Sequence, residues 1–285
     1  MTWTTIVSPA ELAEALGDGG NLIADCSFDL GDTEAGRRAY AEAHLPGAVY
    51  LHLDDDLSGT PDGGNGRHPL PDRAALAALL RELGLSHDTQ VVAYDRSGGF
   101  YAARLWWELR WLGHEAVAVL DGGFAAWSAA GFAIESGTAP TPAAGDFVAR
   151  ASLEPEPASA DEILADVPGK DLLVVDARDA ARFRGETHAL DTASGHIPGA
   201  ANRFFRENLD AEGKLLPASD LQSAFAPLLA RADGRTLVSQ CGSGVTACHN
   251  LLALRHAGIE GARLYPGSWS EWTSDPSRPI ATGED

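Results

Sequence analysis

"VVAYDRSGGFYAARLWWELRWLGHEAVAVLDGGFAAW" (91–127) and "LVSQCGSGVTACHNLLALRHAGIEGARLYPGSWSEW" (237–272) are two versions of one pattern. Each runs from a short apolar stretch through a small-residue loop into a helical segment, then a Gly-led turn, a second apolar stretch and a closing tryptophan. Working outward, earlier pieces recur in the same order: "SPAELAEAL" (8–16) with "SADEILADV" (159–167), "LIADCS" (22–27) with "LVVDAR" (173–178), and "HLPGA" (44–48) with "HIPGA" (196–200). Ser8 with Glu11, and Ser159 with Glu162, have the spacing of a helix capping box. So many ordered matches make the chain a tandem repeat of one α/β domain. The expected division is an N-terminal domain over 1–138, a Pro/Ala/Gly-rich linker over 139–157 and a C-terminal domain over 158–285. Short apolar runs alternating with helices predict, in each domain, a parallel β-sheet with helices on both faces. Ligands of such sheets gather where strand ends feed helix starts. With a strand over 235–240 and a helix over 246–257 ended by Gly258, Cys241 stands at such a point.

Composition narrows the setting. In 285 residues, 45% are hydrophobic and 22% charged, as in ordinary globular domains, and no apolar stretch is long enough to span a bilayer. The opening "MTWTTIVSPAELAEALGDGG" has neither a basic leader nor an apolar core, so a cytoplasmic location is expected. Three cysteines, Cys26, Cys241 and Cys248, are too few for a disulfide scaffold and suit a reducing compartment. Forty-one acidic against 21 basic residues, net −20, exclude nucleic acid as a partner, and no membrane partner is expected. An anionic substrate must then be held locally, by arginines or backbone amides. No His/Cys/Asp set has metal-ligand spacing, and no metal or organic cofactor is called for.

Comparing the copies separates scaffold from chemistry. His44 and His196 both precede a Pro-Gly turn, and Trp127 and Trp272 end the same element, so these read as packing residues. Position 241 differs: the first copy has Asp95 there, and only the second carries a thiol. The register also slips. Asp25 to Asp176 is 151 residues and His44 to His196 is 152, but Pro71 to Pro217 is 146. The first copy therefore holds extra residues in "DDDLSGTPDGGNGRHPLP" (54–71), a Gly-rich loop that carries carboxylates and His68. It is either plain surface or a donor of acid/base groups to the other copy.

"CGSGVTA" (241–247), the twofold repeat, "GHIPGA" (195–200) and the terminal "GSWSEW" (267–272) resemble the tandem rhodanese family of sulfurtransferases, over nearly the whole chain. Within that family the loop is most similar to that of 3-mercaptopyruvate sulfurtransferases. Thiosulfate-specific relatives typically have Arg and Lys where this chain has Gly242 and Ser243. The resemblance implies sulfur transfer from a small donor, through a persulfide on Cys241, to a thiol acceptor such as a thioredoxin-like protein or a low-molecular-weight thiol, or to cyanide. The loop's own physics agrees: amides of Gly242, Ser243, Gly244, Val245 and Thr246 curling around the sulfur, with a helix N-terminus behind them, would stabilise its anion. A larger side chain at Gly244 should close that cradle. Cys248, inside the helix, reads as a packing residue.

The resemblance further implies a Ser243–His68–Asp54 relay for the proton work, with Asp55 or Asp56 as alternatives to Asp54. It implies Arg182 as the cation for the donor's carboxylate. Arg178 reads as the partner of Asp176. The family's second substrate arginine falls where this chain has "THALD" (187–191), and Arg184 is the candidate replacement. Three alternatives stand beside the mercaptopyruvate reading: thiosulfate as donor, a non-catalytic persulfide carrier or sulfur-relay module, and a cysteine phosphatase. The last needs Arg six residues after the nucleophile, where this chain has Ala247.

Overall fold

The computed structural model describes residues 2–16, 20–138, 142–187, 190–191 and 193–284. Two compact units emerge: the first is Met1–Gly59, Pro71–Leu153 and Asp210–Leu215, and the second is Thr60–Leu70, Glu154–Leu209 and Leu216–Asp285.

The first unit contains β1 (Ile6–Val7), α1 (Pro9–Ala15), β2 (Asn21–Asp25), α2 (Ala35–Glu42), β3 (Val49–Tyr50), α3 (Arg73–Glu82), β4 (Gln90–Tyr94), α4 (Ala102–Trp111), β5 (Val117–Leu120) and α5 (Gly123–Ala129). The second contains α6 (Ala160–Asp166), β6 (Leu172–Asp176), α7 (Ala180–Arg184), β7 (Ala201–Asn202), α8 (Ala218–Ala232), β8 (Thr236–Gln240), α9 (Thr246–His256), β9 (Arg263–Leu264) and α10 (Ser268–Trp272). Their sheets run β1-β5-β4-β2-β3 and β7-β6-β8-β9, with every strand pairing parallel. Read from its other edge, the second sheet repeats the first without its edge strand. In place of that strand, the Ala158 amide donates to Leu264 O at 2.8 Å.

Burial explains why these sequences take these forms. The central strands β4 and β8 are buried from their second residue onward, which suits runs such as "VVAY" and "LVSQ" to a covered parallel sheet. Helices α4 and α9 follow them and are buried almost throughout. Trp127 and Trp272 are buried in the two cores, each indole N–H capping a carbonyl, Ala133 O at 2.8 Å and Pro279 O at 2.9 Å. His44 and His196 are also scaffold: each is buried, bonds a main-chain carbonyl through Nδ1 at 2.8 Å, and stacks on an aromatic ring, Tyr40 and Phe183 respectively.

Two local features depart from the repeat. At α1, Ser8 and Glu11 form the full capping box. At α6, Ser159 accepts from the Glu162 amide, but the Glu162 carboxylate turns to Arg263, because a charge-assisted pair outcompetes a single amide. The loops 60–70 and 210–215 each pack in the unit that holds the other half of the chain. Thus Leu215 N–H donates to Asp121 at 2.8 Å, while Arg67 N–H donates to Ser270 Oγ at 3.0 Å.

Candidate active site

Cys241 is the first residue after β8, at the mouth of the turn into α9, and is 2% exposed. The turn is tied to the start of α10 by three bonds. Cys241 N–H donates to Ser268 Oγ at 3.0 Å, Trp269 N–H to Cys241 O at 3.0 Å, and Ser270 N–H to Gly242 O at 3.0 Å. Ser268 Oγ–H in turn donates to Tyr265 O at 2.8 Å. Gly244 has φ +79°, and a Cβ there would lie 2.2 Å from Pro266 O, so the expected intolerance at Gly244 has a backbone cause. Cys248, fully buried, donates its S–H to Gly244 O at 3.3 Å and so fastens the turn from beneath. Burial, with Asp25 and Asp95 nearby, pushes the Cys26 thiol well up, which keeps it inert.

The first copy shows what this turn is built to hold. Asp95, fully buried, accepts from the amides of Ser97 at 2.7 Å, Gly99 at 2.9 Å, Tyr101 at 2.8 Å and Ala102 at 3.0 Å. A carboxylate thus fills an amide cradle at the position equivalent to Cys241. The second copy begins its helix earlier, so the Cys248 amide, equivalent to that of Ala102, is committed to Val245 O at 3.0 Å. Val245 stands at the N-cap and Thr246 opens the helix.

Around Cys241, His68 and Ser243 come together from 175 positions apart: imidazole Nδ1 and hydroxyl Oγ share a hydrogen bond of 2.7 Å, and both residues are buried. Asp54 belongs to the first unit, is exposed, and donates its backbone N–H to His52 Nδ1 at 3.2 Å. Desolvation and the neighbouring Asp55 raise its carboxyl, while His52 lowers it.

Arg182, on the last turn of α7, directs its guanidinium over Gly242. A Cβ on Gly242 would be 3.0 Å from Arg182 Nη2 and 3.2 Å from Arg67 Nη2. Asp191 grips Arg182 in a bidentate pair, with contacts of 2.7 to 3.0 Å. It also reaches Arg178 at 3.2 Å. Arg178 is buried on Asp176, as expected of a structural pair, and lies 4.7 Å from the centre of the Trp269 ring. Arg184 is turned to Glu186 at 2.7 Å and is not brought to Gly242. Sequence reasoning missed two residues here. Arg67 immediately precedes His68, which was its one signal. Asp191 ends "THALD", a segment read for a missing arginine; His188 and Ala189 lie outside the described residues.

A model of the rhodanese-like domain matches the chain twice, over residues 8–130 and 159–275. The chain belongs to the rhodanese family. Among its relatives, a Pseudomonas aeruginosa protein named "Probable 3-mercaptopyruvate sulfurtransferase" is 46% identical over 288 residues, covering 100% of both chains. The thiosulfate sulfurtransferase of Gallus gallus is 35% identical, covering 94% of this chain and 92% of its own. Among solved structures, the 3-mercaptopyruvate sulfurtransferase from Leishmania major superposes with TM-score 0.84 at 31% identity, over 97% of this chain and 75% of its own. The two parallel sheets with their helices are therefore two rhodanese folds in tandem. Among the described residues, no helix of this rhodanese is long and apolar enough to cross a membrane.

Proposed function

We propose that 3-mercaptopyruvate is the sulfur donor and that Cys241 carries the sulfur as a persulfide. That the chain is a sulfurtransferase follows from its full-length identity to sulfurtransferases. The donor assignment rests on one observation, the 2.7 Å bond between His68 and Ser243, two residues beyond Cys241 in the same turn.

The two donors make different demands. When the Cys241 thiolate attacks the sulfur of mercaptopyruvate, an S–S bond forms and the C–S bond breaks, leaving its electron pair on carbon as pyruvate enolate. That carbon must take a proton, and a hydroxyl backed by an imidazole delivers one. Thiosulfate instead releases sulfite, which leaves with its electrons and needs no proton. A doubly charged donor would also favour a cationic turn, whereas Gly242 and Ser243 are neutral. In the proposed cycle Arg182 orients the carboxylate and the turn's amides hold the persulfide, as amides hold Asp95 in the first copy. Val245 and Thr246 are proposed to line the cradle. A thiol acceptor, a thioredoxin-like protein or a small thiol, then attacks the outer sulfur and regenerates Cys241. The proposed setting is the cytoplasm, consistent with three cysteines that form no disulfide among the described residues.

Catalytic efficiency with the two donors tests this. A clear preference for mercaptopyruvate, lost in Cys241→Ser, is expected; a preference for thiosulfate would overturn the donor assignment.

A further inference from the structure

Resting on that reading, we propose that Asp191 sets the charge of the donor: it tolerates one negative charge beside Cys241 and repels a second, and so selects an α-keto carboxylate over a dianion such as thiosulfate. A carboxylate stands where the anion must bind. Apart from chain neighbours, the atoms nearest to where a Gly242 side chain would begin are Arg182 Nη2 at 3.0 Å, Arg67 Nη2 at 3.2 Å and Asp191 Oδ1 at 3.8 Å. Two guanidinium groups and one carboxylate border the space next to the nucleophile, which leaves it a single positive charge.

Asp191 is fixed there from two sides, and its side chain is only 2% exposed. Both of its oxygens accept from Arg182, Oδ1 from Nη2 at 2.7 Å and Oδ2 from Nε at 3.0 Å. Oδ2 also accepts from Arg178 Nη1 at 3.2 Å. Arg178 has its own counter-ion, the fully buried Asp176, at 2.6 Å. Asp176 therefore answers Arg178, and the negative charge of Asp191 falls on Arg182. The segment "THALD" (187–191) brings this carboxylate to the turn and contains no lysine or arginine.

A buried carboxylate acts on a bound ligand with little water between them, so its field is weakly screened. A monoanion entering beside Arg182 meets one net positive charge and is balanced by it. A dianion brings a second negative charge close to Asp191 Oδ1, with no cation left to answer it. Discrimination between two partners needs a repulsive element as well as an attractive one, and Asp191 is that element. This role is separate from that of His68 and Ser243, whose bond serves the proton step and does not sense the charge of the ligand.

The test uses two donors, 3-mercaptopyruvate and thiosulfate, and two inert anions of similar shape, methanesulfonate with one charge and sulfate with two. Catalytic efficiencies, competitive inhibition constants and melting temperatures are measured for wild type, Asp191→Asn and Asp191→Glu. Sulfate should inhibit the wild type no more strongly than methanesulfonate does. Asp191→Asn should lower the ratio of mercaptopyruvate to thiosulfate efficiency about tenfold or more, chiefly through a smaller KM for thiosulfate. Sulfate should tighten by a similar factor, with a much smaller effect on methanesulfonate. Asp191→Glu keeps the charge and should keep the ratio near that of the wild type. Equal losses on both donors in Asp191→Asn, or an unchanged ratio, would make Asp191 a structural partner of Arg182 and overturn the proposal while leaving the donor reading intact. Much stronger inhibition of the wild type by sulfate than by methanesulfonate would overturn it too, and that measurement requires no variant to fold. A wild-type preference for thiosulfate would overturn the donor reading, and this inference with it.

Discussion

Nδ1 of His68 lies 2.7 Å from Oγ of Ser243, two residues beyond Cys241. Neither side chain has a packing reason to be polar in so buried a place, and each satisfies the other. If the pair protonates the enolate, Ser243→Ala and His68→Ala should each lower kcat with mercaptopyruvate about a hundredfold. The double variant should lose little more, because the two act as one device. With thiosulfate the losses should be far smaller. Steady-state kinetics on both donors checks this; equal losses on each would assign the pair to the fold instead.

Gly244 and Gly242 should answer substitution differently. Gly244→Ala forces a Cβ into the Pro266 carbonyl at a positive φ and should lower stability by at least about 2 kcal/mol, with activity lost. At Gly242 the nearest atoms are ends of flexible side chains, so Gly242→Ala should keep its melting temperature and raise KM for the donor. Thermal melts and kinetics on the two variants separate these outcomes.

Asp95 should be a cornerstone of the first unit. Asp95→Ala removes a fully buried carboxylate and strips four amides of their acceptor, and should cost at least about 3 kcal/mol in denaturant unfolding. A loss under about 1 kcal/mol would mean that the turn refolds around its own amides.

Much of this architecture was legible in the sequence, because tandem copies expose their own scaffold. Strand β8 and helix α9 fall within a residue of where apolar runs and Gly258 put them. The contrast of Asp95 with Cys241 drew attention to this turn, and in the first copy the equivalent position is an amide cradle that holds the Asp95 carboxylate. What sequence did not show was the choice of partners. Glu162 had the spacing for a capping box, yet Arg263 captures it from 101 positions away. Arg182 was expected to meet the donor's carboxylate, and its pairing with Asp191 was not foreseen, because nothing in a linear pattern says which carboxylate a guanidinium will meet. Arg67 escaped notice for the same reason, since its neighbours Leu190, Gly242 and Ser270 are all more than a hundred residues away.

Stability should depend on pH through Glu108, which is fully buried in α4 beside Arg104, 2.7 Å away. Burial pushes its carboxyl up from 4.5 to about 7, outweighing the pull of Arg104. The folded state therefore binds this proton more tightly than the unfolded chain does. Its contribution is fully present below about pH 4.5 and is lost as pH rises through about 7. Urea unfolding between about pH 5 and pH 8 should show stability falling, and Glu108→Gln should flatten that part of the curve. Parallel curves for the two proteins would contradict the assignment.

The claim on which the rest depends is that Cys241 bears the transferred sulfur. Mass spectrometry of the protein after incubation with mercaptopyruvate, without acceptor, measures this directly. We expect one added sulfur atom on the peptide containing Cys241, removed by cyanide or a small thiol. No adduct there, or an adduct on Cys26 or Cys248 instead, would contradict the account.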